Sequence, residues 1–324
     1  MGQGRAAGQE LASGHQCAEG RTPWRDPHRM IEKRYADLFT QGSQVGFEIA
    51  EREILLTYVL RILDDASLLK TLAFKGGTCL RKCVYGKETR FSVDLDFTNT
   101  SDQAADDVIL DVVSALGKTS YGISFGVETK DFYVSDDGMS CGAKVGYRHS
   151  WAEGTFKLDI SLRETPSLPV EPLALKPQPY FKYLEFKPFP IPSFRFEEML
   201  GEKIRAASQR LRSRDVYDLA KAAERPINPR LIRALAVIKC WNVGKPFEPE
   251  RLLGRLHAEK YDWDDLRALV RRSERVDPER MLAACEKRYK FLLELSDGER
   301  RMIGDSKRRK LKDLPSALLK EAGK

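Results

Sequence analysis

Two carboxylates one residue apart, Asp94 and Asp96, lie in the run Arg90-Phe91-Ser92-Val93-Asp94-Leu95-Asp96-Phe97. In an extended strand alternate side chains leave the same face. Ser92, Asp94 and Asp96 therefore share one side, and Val93, Leu95 and Phe97 share the other. Neighbouring carboxylates repel unless positive charge lies between them. A divalent cation meets that need, and Mg²⁺ takes one or two carboxylates together with phosphate oxygens. An exposed polar strand face has the same pattern, so the pair alone leaves both readings open.

Upstream, Phe74-Lys75-Gly76-Gly77-Thr78 sets a glycine turn after an apolar stretch. Glycine lets the backbone turn tightly and lets a phosphate approach its N–H groups. The start of a helix beyond it favours anions. The pattern predicts Thr78 as the cap of a helix reaching about Tyr85. Lys75, Lys82 and Arg90 are placed to add positive charge there. Glycine turn and acidic pair, in that order, point to a nucleotidyltransferase that holds a nucleoside triphosphate.

Asp159 alternates with Phe156, Leu158 and Ile160 and is a candidate third carboxylate, either to help hold a metal or to deprotonate an attacking hydroxyl. In Glu198-Met199-Leu200-Gly201-Glu202-Lys203-Ile204-Arg205-Ala206, helical spacing puts Met199, Lys203 and Ala206 on one stripe. Lys203 offers a compact point charge suited to a phosphate. Asp215 and Asp218 stand i, i+3 on the next helix. A salt-bridged helix pair would read the same way.

These residues need elements to position them. Apolar periodicity predicts a helix over 48–69, a strand over 71–74 and a strand over 92–98. A helix over 106–116 and strands over 121–130, 141–147 and 155–162 follow. The proline-rich stretch 166–192 reads as a connection with one short strand at 180–186. Helices are expected at 196–212, 216–223, 229–241, 249–256 and 278–295, several starting beside a proline. The fold class is α+β. A disordered leader spans 1–29, with Met30 as a candidate native start. A nucleotidyltransferase domain spans 30–192, and a helical C-terminal domain ending in a basic tail spans 193–324.

The chain of 324 residues has net charge +7. Residues 195–233 hold ten basic and six acidic side chains, and Lys307–Lys312 is basic. Both stretches suit the backbone of an RNA. No apolar run approaches the ~20 residues of a membrane span, and residues 1–29 lack a secretory core, so a cytoplasmic protein is expected. Six cysteines without a CxxC pair read as reduced thiols, with Cys79 and Cys83 packed in the core. His149 and His257 make no zinc spacing, and no Gly-x-Ser-x-Gly elbow or Walker loop occurs.

The segments at 74–82, 90–97, 157–160, 198–206 and 214–219 together resemble the AbiEii/AbiGii-type nucleotidyltransferases, toxins of bacterial toxin–antitoxin and phage-defence systems. The resemblance implies a polymerase-β-like mixed sheet with flanking helices and an all-helical C-terminal domain. It implies Mg²⁺ on Asp94 and Asp96, a nucleoside triphosphate beside Ser92 and Lys203, and Asp215 as general base, with Asp159 matching the third carboxylate of polymerase-like enzymes. Asp218 joins the nucleotide side. An RNA 3′ end, that of tRNA above all, is the implied acceptor, and a cognate AbiEi-like antitoxin the implied partner. The gap from Gly77 to Asp94 is longer than in many members of the wider superfamily. A small-molecule or protein-modifying nucleotidyltransferase would use the same core, whereas a non-enzymatic RNA-binding module would have no use for the acidic pair.

Overall fold

The computed structural model describes residues 32–43, 45–256 and 261–323. The leader 1–29, Met30, Cys17 and His257 lie outside the described residues. After α1 (Lys33–Ser43), helix α2 (Phe47–Asp65) carries apolar side chains around most of its circumference. A helix of that composition must be covered on nearly every side, and Ile54 through Leu60 are all buried. β1 (Leu72–Lys75) then leads into α3 (Gly76–Cys79), which widens into a π-helical turn over Leu80–Tyr85. Next come β2 (Leu95–Asn99), α4 (Ala105–Leu116), β3 (Ser124–Gly126), β4 (Phe132–Val134), β5 (Ser140–Arg148) and β6 (Glu153–Ser161). β7 (Glu171–Ala174) and β8 (Pro190–Ser193) complete a mixed sheet ordered β3-β5-β6-β2-β1-β8-β7, with β4 pairing on β5.

Register explains how this sheet serves two purposes. Phe74, Phe97, Ile160, Cys141 and Val134 are paired across five strands and face the core; the first four are fully buried. One position along, Lys75, Asp96, Asp159, Gly142 and Tyr133 are paired across the same five strands. Paired residues share a face and successive residues alternate faces. The polar row therefore emerges opposite the apolar one.

Several expectations needed correction. The strand at 121–130 shrinks to β3, because Tyr121 and Gly122 take left-handed backbone angles that break an extended chain. No strand forms at 180–186. Pro179–Tyr183 is a 3₁₀ turn whose buried Tyr180 hydroxyl meets Thr57 at 2.7 Å. The strands of the proline-rich stretch are instead β7 and β8, and Phe194 N–H donates to Phe74 O at 2.9 Å where β8 joins β1. Thr78 does not cap its helix. Lys75 occupies that position, and the Thr78 hydroxyl donates to the backbone carbonyl of Asp94.

The remaining helices are α5 (Phe196–Gln209), α6 (Ser213–Ala223), α7 (Pro229–Asn242), α8 (Pro249–Arg255), α9 (Trp263–Arg267), α10 (Pro278–Tyr289), α11 (Asp297–Asp305) and α12 (Leu314–Ala322). The main apolar interior falls into two large clusters that meet inside α5, Met199 belonging to the first and Leu200 to the second. A side chain at Gly201 would stand 2.8 Å from Leu235 Cβ, so glycine there lets α5 press against α7. The basic stretch 307–312 is no loose tail. It connects α11 to α12, whose Leu318 and Ala322 are buried with the helical core. Among the described residues no helix is long and apolar enough to cross a membrane.

Candidate active site

Gly76 opens α3 at φ +77°, a conformation that L side chains resist. A side chain there would collide with the Asp96 carboxyl. At Gly77 one would stand 2.6 Å from Arg90 Nη2 and 3.2 Å from Ser92 Oγ. The two glycines thus let the turn close down on Asp96, Arg90 and Ser92. The Thr78 hydroxyl on the Asp94 carbonyl pins the stretch leading into β2 to the same turn.

Burial pushes the Asp96 carboxyl up to about 6. Lys75 and Lys203 pull the other way, and Asp159 and Asp94 add to the rise. The Asp94 carboxyl is also raised, by burial first and by Asp159 as well, against Arg214 and Lys157. Asp94 and Asp96 are thus carboxyls deprived of water by burial, within electrostatic reach of Asp159. That loss of hydration, with the oxygen-only donor set, fits Mg²⁺ held by Asp94 and Asp96 together with phosphate oxygens. Among the described residues no ready-made group of three or more acidic, His or Cys side chains is arranged to hold a metal.

Facing this row from α5 and α6 is a cationic clasp. Lys203 Nζ lies 2.7 Å from Asp218 Oδ2 and 3.2 Å from Asp215 Oδ1. Arg210 Nε donates to Asp215 Oδ2 at 2.7 Å. Burial works to raise the Asp215 carboxyl, but Lys203 and Arg210 outweigh it and hold it far below the usual range. A carboxylate so stabilised is a poor proton acceptor. Asp159 accepts a hydrogen bond from the Tyr133 hydroxyl at 2.9 Å and stands in register beside Asp96.

Other anticipated residues are placed differently. Lys82 points away into the core, where Nζ donates to Glu53 Oε1 at 3.1 Å, Glu53 O at 2.8 Å and Thr57 at 2.8 Å. Its charge balances a buried glutamate, so it does not reach the glycine turn. Arg90 is buried and forks onto Asp218 at 2.9 and 2.8 Å. Lys75 lies beside the turn, joined to Glu202 Oε1 at 3.0 Å. Of the ten cations over 195–233, Lys203, Arg210, Arg214 and Arg233 pair internally with Asp218, Asp215, Asp265 and Glu299. Lys307, Arg308, Arg309, Lys310 and Lys312 are exposed.

Two residues of the site carried no readable signal. Glu202 is indistinguishable in sequence from a surface glutamate. Tyr133 sits in a three-residue strand too short to show alternation.

A family model described as nucleotidyl transferase AbiEii toxin, type IV toxin–antitoxin system, matches residues 58–320. No curated protein matches the sequence. Among solved structures the chain is similar to MenT4, a nucleotidyltransferase toxin from Mycobacterium tuberculosis H37Rv, at 26% identity and a TM-score of 0.77, over 89% of this chain and 98% of that one. It also matches a putative nucleotidyltransferase from H. pylori, at 21% identity and a TM-score of 0.48 over 78% of this chain and 99% of that one. A third match is JHP933 from Helicobacter pylori, at 18% identity and a TM-score of 0.44, covering 84% and 99%. With four-fifths of its length matched and with glycine turn, acidic row and lysine clasp assembled at one place, the chain belongs to the AbiEii family of nucleotidyltransferase toxins of type IV toxin–antitoxin systems.

Proposed function

We propose that the enzyme transfers a nucleoside monophosphate from a nucleoside triphosphate to the 3′ hydroxyl of an RNA, a tRNA acceptor end above all. It would do so in the cytoplasm, blocking translation until an AbiEi-like antitoxin opposes it. The observation that carries this reading is the register that places Asp96 beside Asp159 on one side and beside Lys75, at the glycine turn, on the other.

In this scheme the backbone of Gly76, Gly77 and Thr78 receives the triphosphate from the sheet side. Lys203, held by Asp215 and Asp218, meets its phosphates from the helical side. Asp94 and Asp96 would hold Mg²⁺, which when bound neutralises phosphate charge and favours in-line displacement. The RNA hydroxyl oxygen forms a bond to the α-phosphorus, and the bond from that phosphorus to the bridging oxygen breaks, releasing pyrophosphate. Asp159 takes the hydroxyl proton, because Asp215 is committed to Lys203 and Arg210. Asp215 instead anchors Lys203. Exposed cations at 307–312 would contribute to RNA affinity that falls with salt.

The test is incubation with each labelled triphosphate, Mg²⁺ and total tRNA. RNA should become labelled with wild-type protein and remain unlabelled with Asp94→Ala. Equal labelling by both proteins would sink the mechanism. Label reaching only an antibiotic-type small molecule or only a protein would move the acceptor to those classes.

A further inference from the structure

Tyr133 is the one aromatic residue among the strongly exposed large apolar side chains of the described residues, at 46% exposure. It nevertheless belongs to an ordered contact, its hydroxyl donating to Asp159 Oδ1 at 2.9 Å from two strands away. Gly142, on the strand between, makes the reach possible. A side chain there would stand 2.7 Å from Asp159 Oδ1, 2.8 Å from Tyr133 Cε1 and 2.6 Å from Leu158 O. The absence of a Cβ on β5 leaves a channel in which the ring lies across the strand.

The order of the polar row gives that ring a position in the reaction. From β1 to β4 it reads Lys75, Asp96, Asp159, Gly142, Tyr133. Adjacent strands are about 4.8 Å apart, so Tyr133 is rooted roughly 15 Å from Asp96, beyond Asp159. The leaving pyrophosphate belongs at the opposite end, with the glycine turn and Lys203. In-line displacement requires the attacking oxygen to arrive opposite the leaving group. The acceptor must therefore enter over Asp159 from the Tyr133 side.

We infer that Tyr133 is the acceptor-side contact of this enzyme: its ring stacks on the nucleobase adjoining the attacking hydroxyl, while its own hydroxyl positions the Asp159 carboxylate. The inference rests on the RNA-directed reading above. Stacking on an exposed ring tolerates any base, since every base presents a π face. Tyr133 thus contributes affinity for a single-stranded 3′ end rather than choice among sequences.

The experiment compares wild type, Tyr133→Ala, Tyr133→Phe and Tyr133→Trp by two measurements. The first is anisotropy of a fluorescein-labelled RNA with a single-stranded 3′ end, without Mg²⁺ or nucleotide. The second is steady-state transfer with RNA and triphosphate varied separately. Tyr133→Ala should weaken RNA binding and raise KM for RNA by about tenfold or more, leaving KM for the triphosphate unchanged. Tyr133→Trp and Tyr133→Phe should bind RNA within about twofold of wild type, and Tyr133→Phe should lose kcat because Asp159 loses its donor. The exposed position lets all three variants melt like wild type. An alanine variant that binds and turns over RNA normally, or one that raises KM for the triphosphate instead, overturns the assignment while wild-type transfer leaves the enzymatic reading standing. Wild-type protein that never labels RNA overturns both.

Discussion

Arg90 and Asp218 are joined by two parallel hydrogen bonds, Nε to Oδ1 at 2.9 Å and Nη2 to Oδ2 at 2.8 Å, with both side chains buried. Arg90 begins the stretch leading to Asp94, and Asp218 lies on α6, so this fork holds the acidic row against the helices that carry Lys203. The same Asp218 carboxylate also receives Lys203 at 2.7 Å. Asp218→Asn leaves two buried cations short of negative charge, and breaking such a pair costs about 3–5 kcal/mol. The denaturant midpoint should drop accordingly. Arg90→Lys keeps the charge but not the planar fork and should restore little. A lysine variant as stable as wild type would show that the fork is dispensable.

Asp96 should trade stability for function. Its carboxyl is raised by burial from 3.8 to about 6. A carboxyl higher in the folded than in the unfolded state binds more protons when folded, so stability falls as pH rises from about 4 through 6. Above that window Asp96→Asn should melt a few degrees higher than wild type, while nucleotide transfer drops to background. Below pH 4 the two melting temperatures should converge. Calorimetry across this range is the check, and a variant that melts lower at pH 7.5 contradicts it.

Glycine is required at position 76 both for its backbone angle and for the space taken by Asp96. Gly76→Ala should lose more than about 1 kcal/mol of stability and nearly all transfer activity. Gly77→Ala meets Arg90 Nη2 and should weaken the Arg90–Asp218 fork as well. Gly254, in α8 with open space around its Cα, is the control. Gly254→Ala should be neutral or slightly stabilising, since alanine favours a helix. Circular dichroism melts of the three variants separate these outcomes.

Glu202 gives the pH dependence the opposite sign. Burial works to raise it, but Lys75 and Lys239 prevail and hold it at about 2, below its ordinary 4.5. A depressed carboxyl contributes stability that is present above 4.5 and lost as pH falls toward 2. Wild type should therefore lose stability across that interval more steeply than Glu202→Gln. Parallel slopes in acid titrations monitored by fluorescence would contradict this.

Lys82 and Lys203 should separate cleanly. Lys82 is bound to Glu53 in the core, so Lys82→Met should cost several kcal/mol by leaving a buried carboxylate less well paired. The folded fraction should keep its KM for the triphosphate. Lys203→Ala should instead raise that KM or abolish transfer, with Asp215 and Asp218 left repelling each other. Kinetics on the folded fraction after a thermal melt distinguishes the two.

The local chemistry of this protein was written in short runs. Asp96, Asp159 and Lys203 were visible because alternation and helical spacing assign side chains to faces without knowledge of distant residues, whereas Gly76-Gly77 stood out as a turn and Asp94 lies in the stretch just before β2. The helices from α5 to α8 were legible for the same reason, aided by the prolines at the starts of α7 and α8. What spacing could not decide was which charges would meet. Lys82 and Lys203 are both lysines about two turns into a helical stretch; only packing sends one to Glu53 in the core and the other to Asp215 and Asp218. Asp215 is the general base that the family resemblance implies, and only the fold shows that Lys203 and Arg210 pair with it. The row from Lys75 to Tyr133 comes from strands far apart in the chain, and register between them is a property of the assembled sheet. Sequence by itself determined the kinds of groups available and their local facing, because those follow from backbone periodicity. Tertiary structure alone decided their partners, burial and order across the sheet, because electrostatic and steric contacts depend on distance in space.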